Sequence, residues 1–150
     1  YMTMSRAMFV QMLYRLDGEP EVAVSEKFKD VNANAWFAEA VSWASENGIV
    51  LGMTESTFEP YSAVSRQQAV TMLYRYAQYK GVDVSERADL SSYTDAGSIQ
   101  PYALEAMRWA NAIGLMIGRT ETTLVPNEKL IRCEGAVLFQ RFWNLINPNE

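Results

Sequence analysis

Three arginines recur at one position of a repeated pattern and are suited to binding an anion: Arg6, Arg66 and Arg132. The pattern predicts that each lies in the first turn of a helix, where the helix dipole disfavours a cation by about 0.3 to 1 kcal/mol. A guanidinium forms paired hydrogen bonds with a carboxylate, and the helix N-terminus adds N–H donors. We therefore expect these arginines to contact an acidic ligand, the alternative being an ion pair with Asp30 or Asp95.

Aromatic residues at the predicted start of two other helices are suited to sugar recognition. Trp36 and Tyr102 occupy equivalent places in the repeated pattern. A pyranose can stack its C–H face on such a ring while its hydroxyls form hydrogen bonds. We therefore expect Trp36 and Tyr102 to contact a carbohydrate. Trp43 and Trp109 lie further along the same helices among alanines, and we expect them to pack in the core.

Two pairs of acidic residues also recur. We expect Asp30 and Asp95 to orient an arginine or to accept hydrogen bonds from sugar hydroxyls; alternatively they stabilise a turn, as aspartate often does. Glu39 and Glu105 could suggest a glycosidase, but a catalytic acid and base need two different environments. A residue repeated at one place of each unit does not meet that need, so we expect no catalytic residue.

The composition argues against several classes of protein. Thirteen basic and 18 acidic side chains give a net charge of -5, which disfavours binding to nucleic acid. Histidine is absent and Cys133 is the only cysteine, which removes the common zinc, haem and histidine-dependent catalytic sites. No calcium-loop motif occurs, and no apolar run approaches the ~20 residues of a membrane span. We expect no metal, no cofactor and no membrane span.

The chain is built from an internal repeat. Residues 36–76 match residues 102–142 without a gap at an offset of 66, and residues 1–15 match residues 61–75 at an offset of 60. The sequence therefore contains two full repeats and the second half of an earlier one. The longer match pairs identical residues at many positions, among them Trp43/Trp109, Gly48/Gly114, Gly52/Gly118, Pro60/Pro126 and Arg66/Arg132.

Each full repeat predicts two helices. The first runs from about Trp36 to Asn47 and stops at Gly48 in the left-handed conformation. The second opens at Ser65, which forms a capping box with Gln68. We expect more than half of the residues in helices and little or no sheet. Another arginine series, further along the second helices, is interpreted as surface or inter-lobe salt bridges: Arg15, Arg75 and Arg141.

Short motifs within the repeats resemble the S-layer homology (SLH) family. The family pattern runs Phe-x-Asp-Val, Trp, Gly-Ile-x-x-Gly, Thr-Phe-x-Pro and Thr-Arg-Ala-Glu, in this order. The first full repeat contains Phe28-Lys-Asp30-Val31, Trp36, Asn47-Gly48-Ile49-Val-x-Gly52, Thr57-Phe58-x-Pro60 and Val64-Ser65-Arg66. Of the Thr-Arg-Ala-Glu signature, only the arginine occurs in all three motifs. The resemblance identifies residues 1–16 as the back half of a first motif, 28–79 as a second and 93–146 as a third, within one domain of residues 1–150.

The resemblance implies an all-α fold in which tandem helix-loop-helix repeats form a pseudo-threefold helical bundle with lobes. It also implies an extracellular module of a bacterial cell wall or S-layer that binds pyruvylated secondary cell-wall polysaccharide. Such a module anchors a surface protein without a covalent bond, and a pyruvyl carboxylate would meet the arginines. The alternative is a helical protein–protein assembly module without glycan binding, and a homo-oligomer is a further expected partner.

Overall fold

The computed structural model describes residues 2–148, in which the regular elements are all helices and there is no β-strand. The all-α prediction is thereby confirmed. None of the helices in this part of the chain is long and apolar enough to cross a membrane. The five α-helices are α1 (Arg6–Leu16), α2 (Ala38–Glu46), α3 (Arg66–Tyr79), α4 (Leu104–Ala112) and α5 (Arg132–Ile146), with 3₁₀ turns at Ala96–Ser98 and Pro101–Ala103.

The helices pair across the repeats. Helix α1 packs against α2, and α3 packs against α4. Each pair joins the second helix of one motif to the first helix of the next; we name α1 with α2 the first lobe and α3 with α4 the second lobe. Trp43 is buried in the first lobe beside Tyr14, and Trp109 is buried in the second lobe beside Tyr74. The prediction that both tryptophans pack in the core is confirmed.

A closed ring of backbone hydrogen bonds joins the three motifs at the centre. The N–H of Met4 donates to the carbonyl of Leu130 (2.8 Å), Leu130 donates to Val64 (2.9 Å), and Val64 donates to Met4 (2.9 Å). These residues are equivalent under the repeat offsets of 60 and 66. The ring therefore gives the bundle its pseudo-threefold arrangement, and it places the N-terminus of each second helix beside the neighbouring motif.

The second helices begin at the predicted residues. Ser65 accepts a hydrogen bond from the backbone N–H of Gln68 (3.2 Å), and the Gln68 side chain accepts one from the N–H of Ser65 (2.9 Å). This capping box satisfies two backbone donors that the helix leaves unpaired. The other two helices have half of it: Ser5 caps α1, and Glu134 accepts from the N–H of Ile131 before α5.

The first helices end in left-handed glycines. Gly48 has a φ of 72° and Gly114 a φ of 77°, as predicted. The next residues, Ile49 and Leu115, are buried, and their N–H groups bond back to carbonyls in the last helical turn at 2.8 Å. A side chain at either glycine would meet no atom within 4 Å. Glycine is therefore required here by backbone conformation alone.

Helices cover fewer than half of residues 2–148, so the expectation of a larger helical share is wrong. The long connections are ordered without being helical, since they bury Phe28 and Phe58 and pair the two rings at 5.7 Å between centroids. The predicted helical fraction was too high because apolar residues buried in a loop resemble, in sequence, the apolar face of a helix. These loops form much of the candidate site.

Candidate functional site

A cleft formed by the first two motifs and by Tyr102 of the third, which we name groove 1, holds two of the predicted site residues, Arg6 and Tyr102. Its volume is about 320 Å³, and it lies where the start of α1, the Gly52 loop and one face of α3 meet. The lining contains two cations and no carboxylate. The lining residues are Arg6, Val50, Leu51, Gly52, Met53, Gln68, Thr71, Met72, Arg75 and Tyr102.

Arg6 is held rigidly at the base of groove 1. It is only 4% exposed, its Nε donates to the carbonyl of Phe58 (2.9 Å), and its guanidinium carbon lies 4.6 Å from the centre of the Phe58 ring. Within residues 2–148 no carboxylate lies within ion-pair distance, and neither Nη atom has a hydrogen-bond partner. Burial lowers the pKa of Arg6 below its ordinary value. The site therefore contains a desolvated cation with spare donors.

Asp30 fixes the loop on which Arg6 rests. Its two carboxylate oxygens accept hydrogen bonds from the backbone N–H groups of Phe58 (2.8 Å) and Glu59 (2.7 Å). Asp30 does not form an ion pair with Arg6, so that alternative is wrong. The carboxylate instead sets the position of the Phe58 carbonyl, to which Arg6 donates, and thereby orients the arginine indirectly.

Two side chains from the second lobe complete groove 1. Tyr102 is 50% exposed, and burial raises its pKa against the opposing effect of the Arg6 and Arg75 charges. Burial lowers the pKa of Arg75, which forms no salt bridge within residues 2–148. The salt-bridge interpretation is therefore wrong for Arg75, whereas Arg15 does pair with Glu19 (3.7 Å). The aromatic ring of Tyr102 and the guanidinium of Arg75 thus line the same cleft as Arg6.

The repeat builds a second cleft, groove 2, of about 350 Å³ around Arg66. Arg66 is 6% exposed, and its Nε donates to the carbonyl of Leu124 (2.9 Å), as Arg6 does to Phe58. Its Nη2 also donates to the carbonyl of Ile117 (2.9 Å), a bond that Arg6 lacks. The lining residues are Arg66, Leu115, Met116, Ile117, Gly118, Arg119, Leu130, Cys133, Glu134, Val137, Leu138 and Arg141.

Asp95 repeats the role of Asp30 beside groove 2. Its oxygens accept from the N–H groups of Leu124 (2.9 Å) and Val125 (2.8 Å), and it is not an ion-pair partner of Arg66. These hydrogen bonds, the one from Leu124 first, lower the pKa of Asp95, with a smaller contribution from the Arg66 charge. Both aspartates therefore hold loops, which corresponds to the turn role weighed for them.

Groove 2 differs from groove 1 in the charge of two lining positions. Arg119 stands where groove 1 has Met53, and Glu134 stands where groove 1 has Gln68. Arg119 pairs with Glu134 (2.9 Å) and also with Glu128. Arg141, the counterpart of Arg75, again lines the cleft without a salt bridge in the described residues. Groove 2 therefore contains three arginines, one of which is already bound to carboxylates of the chain.

The remaining predicted residues lie elsewhere. Arg132 is exposed, and its Nε lies 3.4 Å from the carbonyl of Thr3; it lines neither groove. Trp36 is 57% exposed and lines a separate cavity beside α1. Sequence reasoning missed Arg75 and Arg141 as groove residues, although their recurrence at the offset of 66 was a usable signal.

These features define the class of protein: an all-α module of tandem helix-loop-helix repeats with arginine-lined clefts between them. The family model of the S-layer homology domain matches residues 27–70 and 92–134. The chain belongs to the S-layer homology domain family, which confirms the resemblance seen in its motifs.

Curated relatives agree with this membership. A surface-layer 125 kDa protein of Lysinibacillus sphaericus is 33% identical over 82% of this chain and 10% of its own length. An endoglucanase of Bacillus sp. (strain KSM-635) is 29% identical over 95% of this chain and 15% of its own length. An S-layer protein of Bacillus thuringiensis subsp. finitimus is 27% identical over 84% of this chain and 15% of its own length.

The chain thus spans 10–15% of the length of these relatives. The family and the surface-layer relatives indicate a location at the bacterial cell surface and a role in attachment to the cell wall.

Proposed function

We propose that groove 1 binds a carboxylate-bearing sugar of a secondary cell-wall polysaccharide and so holds the parent protein on the wall without a covalent bond. The observation that carries this proposal is Arg6: a buried guanidinium with no carboxylate partner and with both Nη atoms unpaired in residues 2–148. Burying an unpaired charge is costly. A ligand carboxylate would offset that cost and use the spare donors.

The surroundings of Arg6 favour an acidic sugar over a simple anion. Tyr102 offers a half-exposed ring on which the C–H face of a pyranose can stack, and Arg75 adds a second positive charge. A pyruvyl ketal places a carboxylate directly on a sugar ring, so one residue of a pyruvylated glycan would engage Arg6 and Tyr102 together. The chain as a whole is acidic at -5, so the cationic lining is a local feature.

The other predicted site residues take different parts in this proposal. Arg66 donates to the carboxylate of a second acidic sugar in groove 2, where the pairing of Arg119 with Glu134 makes the site weaker. Asp30 and Asp95 act as positioning residues, because their carboxylates hold the loops that receive the two arginines. The proposal assigns no ligand to Arg132.

Sedimentation with wall sacculi tests the function. We expect the chain to pellet with intact sacculi and to stay in solution when the non-peptidoglycan polymer has been extracted. Arg6→Ala and Tyr102→Ala should reduce pelleting, while Arg15→Ala, which alters an exposed arginine of the same helix, serves as the matched control. Circular dichroism would verify that each variant is folded. Equal pelleting before and after extraction would overturn the proposal and favour the protein–protein assembly module.

A further inference from the structure

A third cavity lies in the first lobe, outside grooves 1 and 2, and we name it the α1 pocket. Its volume is about 310 Å³, and it is situated between α1 and the residues that lead into α2. No lysine or arginine lines it, in contrast to the two grooves. The lining residues are Gln11, Tyr14, Glu19, Ala33, Asn34, Ala35, Trp36, Ala38 and Glu39.

The charge of the α1 pocket comes from two glutamates. Glu19 is 3.7 Å from the Nε of Arg15, in a pair whose side chains are both largely exposed. The hydroxyl of Tyr14 donates its proton to the carbonyl of Pro20 (2.7 Å), and the Oε2 of Glu39 lies 3.4 Å from the same hydroxyl oxygen, whose lone pairs can still accept. Within residues 2–148 no lysine or arginine lies within ion-pair distance of Glu39. The pocket is therefore negative where the grooves are positive.

The second lobe contains the repeat counterparts of Tyr14 and Glu39, and there a cationic side chain lies between the two. Tyr74 and Glu105 are the repeat counterparts of Tyr14 and Glu39. Arg87 donates from Nη2 to the hydroxyl of Tyr74 (2.8 Å) and from Nε to Glu105 (2.9 Å), and it lies 5.4 Å from the centre of the Tyr74 ring. The duplicated structure thus contains an example of the group that this tyrosine–glutamate pair binds, which is a cationic hydrogen-bond donor.

Two further features of the α1 pocket indicate a sugar as the carrier of that cation. Trp36 is more than half exposed, and the ring of its neighbour Phe37 lies perpendicular to it with 5.0 Å between the ring centres. Its ring is thus supported and available for stacking. Gln11 presents a buried Oε1 that has no hydrogen-bond partner in residues 2–148. A buried acceptor without a donor is unfavourable, and a ligand donor would satisfy it.

We propose that the α1 pocket binds an amino sugar that carries a free ammonium group. The ammonium donates to Glu39 and Tyr14, as Arg87 does to their counterparts, while the sugar ring stacks on Trp36 and one of its donors reaches Gln11. This site is separate from groove 1 and does not require that groove 1 bind an acidic sugar. Together the two sites would let the module recognise a glycan that carries both charges.

Titration with defined oligosaccharides tests this site. The probes are a glucosamine tetramer with free amino groups, its fully N-acetylated form, and ethanolamine as an ammonium without a sugar ring. We expect the N-acetylated tetramer and ethanolamine each to bind at least about tenfold more weakly than the glucosamine tetramer, because each lacks one of the two interactions. Equal binding of the two tetramers, or of ethanolamine and the glucosamine tetramer, would overturn the proposal.

Matched variants locate the binding. Glu39→Gln should weaken the glucosamine tetramer about two- to fivefold, since it removes a charged acceptor from an exposed position. Glu105→Gln is the repeat-related control and should leave the affinity unchanged, because Glu105 already binds Arg87. Arg6→Ala should also leave it unchanged, which separates this site from groove 1. Parent-like affinity in Glu39→Gln, with the fold verified by circular dichroism, would show that the amino sugar binds elsewhere.

Discussion

Equivalent parts of the repeat form grooves 1 and 2. The grooves differ in how many hydrogen bonds and ion pairs their arginines make with the rest of the chain. In groove 1 the guanidinium of Arg6 uses only Nε for the protein, while in groove 2 Arg66 uses Nε and Nη2. Groove 2 also contains Glu134, a carboxylate that binds Arg119. The comparison shows that duplication preserves the scaffold of a site, while the two changes of charge in its lining, at Arg119 and Glu134, alter how strongly the site needs an anion.

The largest effect should come from the Gly52 loop, which lines groove 1. We expect Gly52→Ala to destabilise the fold by about 3 kcal/mol or more, because φ is 88° and the new Cβ would lie 2.5 Å from the Phe28 ring and 2.7 Å from the Thr54 carbonyl. Gly48→Ala is the control: it has only the positive φ and should cost about 1 kcal/mol. Urea unfolding measures both, and equal losses would contradict the loop packing described.

The next effect separates the two grooves by affinity. Arg6→Ala should weaken binding of a pyruvylated oligosaccharide by about 10- to 150-fold at groove 1, the equivalent of 1.5 to 3 kcal/mol for a hydrogen bond to a charged group. Arg66→Ala should cost less, since groove 2 is already partly satisfied by Glu134. Calorimetric titration of both variants gives the comparison. A larger loss in Arg66→Ala than in Arg6→Ala would reverse the assignment of the stronger site.

Exchanging the residue at one lining position should make the affinity of each groove for an acidic sugar more like that of the other groove. Glu134→Gln gives groove 2 the residue that groove 1 has at Gln68, and it keeps an acceptor for the N–H of Ile131. We expect groove 2 to bind an acidic sugar about two- to fivefold more tightly, the range of an exposed charge interaction. Gln68→Glu should weaken groove 1 by a similar factor. Measurement in the Arg6→Ala background isolates groove 2, and no change there would mean that Glu134 does not compete with the ligand.

The smallest expected effect is the loss at low pH of the stabilisation that Asp95 gives to the loop beside groove 2. Because the backbone N–H groups of Leu124 and Val125 lower the pKa of Asp95, its carboxylate stabilises the fold fully above the ordinary carboxyl pKa of about 4. That contribution is lost as pH falls through the lowered value. Thermal melting of the parent and Asp95→Asn chains should therefore differ at pH 7 and converge near pH 2. A difference that persists at pH 2 would assign the effect to packing instead.

The sequence was sufficient to predict the local structure. Ser65 with Gln68 and the left-handed Gly48 obey rules that involve only neighbouring residues, and the repeat offsets identified equivalent positions. Trp43 was correctly assigned to the core because its helix is rich in alanine. These features depend only on short segments of sequence, so they could be predicted without knowing the fold.

The arrangement of the site could not be read in the same way. Arg6 and Phe58 are 52 residues apart and meet because the central hydrogen-bond ring places α1 beside the next motif. The same long-range geometry brings Arg75 to the groove and not to a surface salt bridge. It also places Asp30 beside the loop backbone, where its carboxylate accepts hydrogen bonds from two N–H groups. Nothing in local periodicity reports contacts of this kind.

The measurement that tests the central claim most directly is a four-way titration of parent and Arg6→Ala chains with a pyruvylated oligosaccharide and with the same oligosaccharide after removal of its pyruvyl group. If Arg6 binds the pyruvyl carboxylate, removing that group should weaken the parent by about 10- to 150-fold and change the Arg6→Ala chain little. If the pyruvyl group contributes equally in both chains, or in neither, Arg6 is not its partner and groove 1 is not the acidic-sugar site.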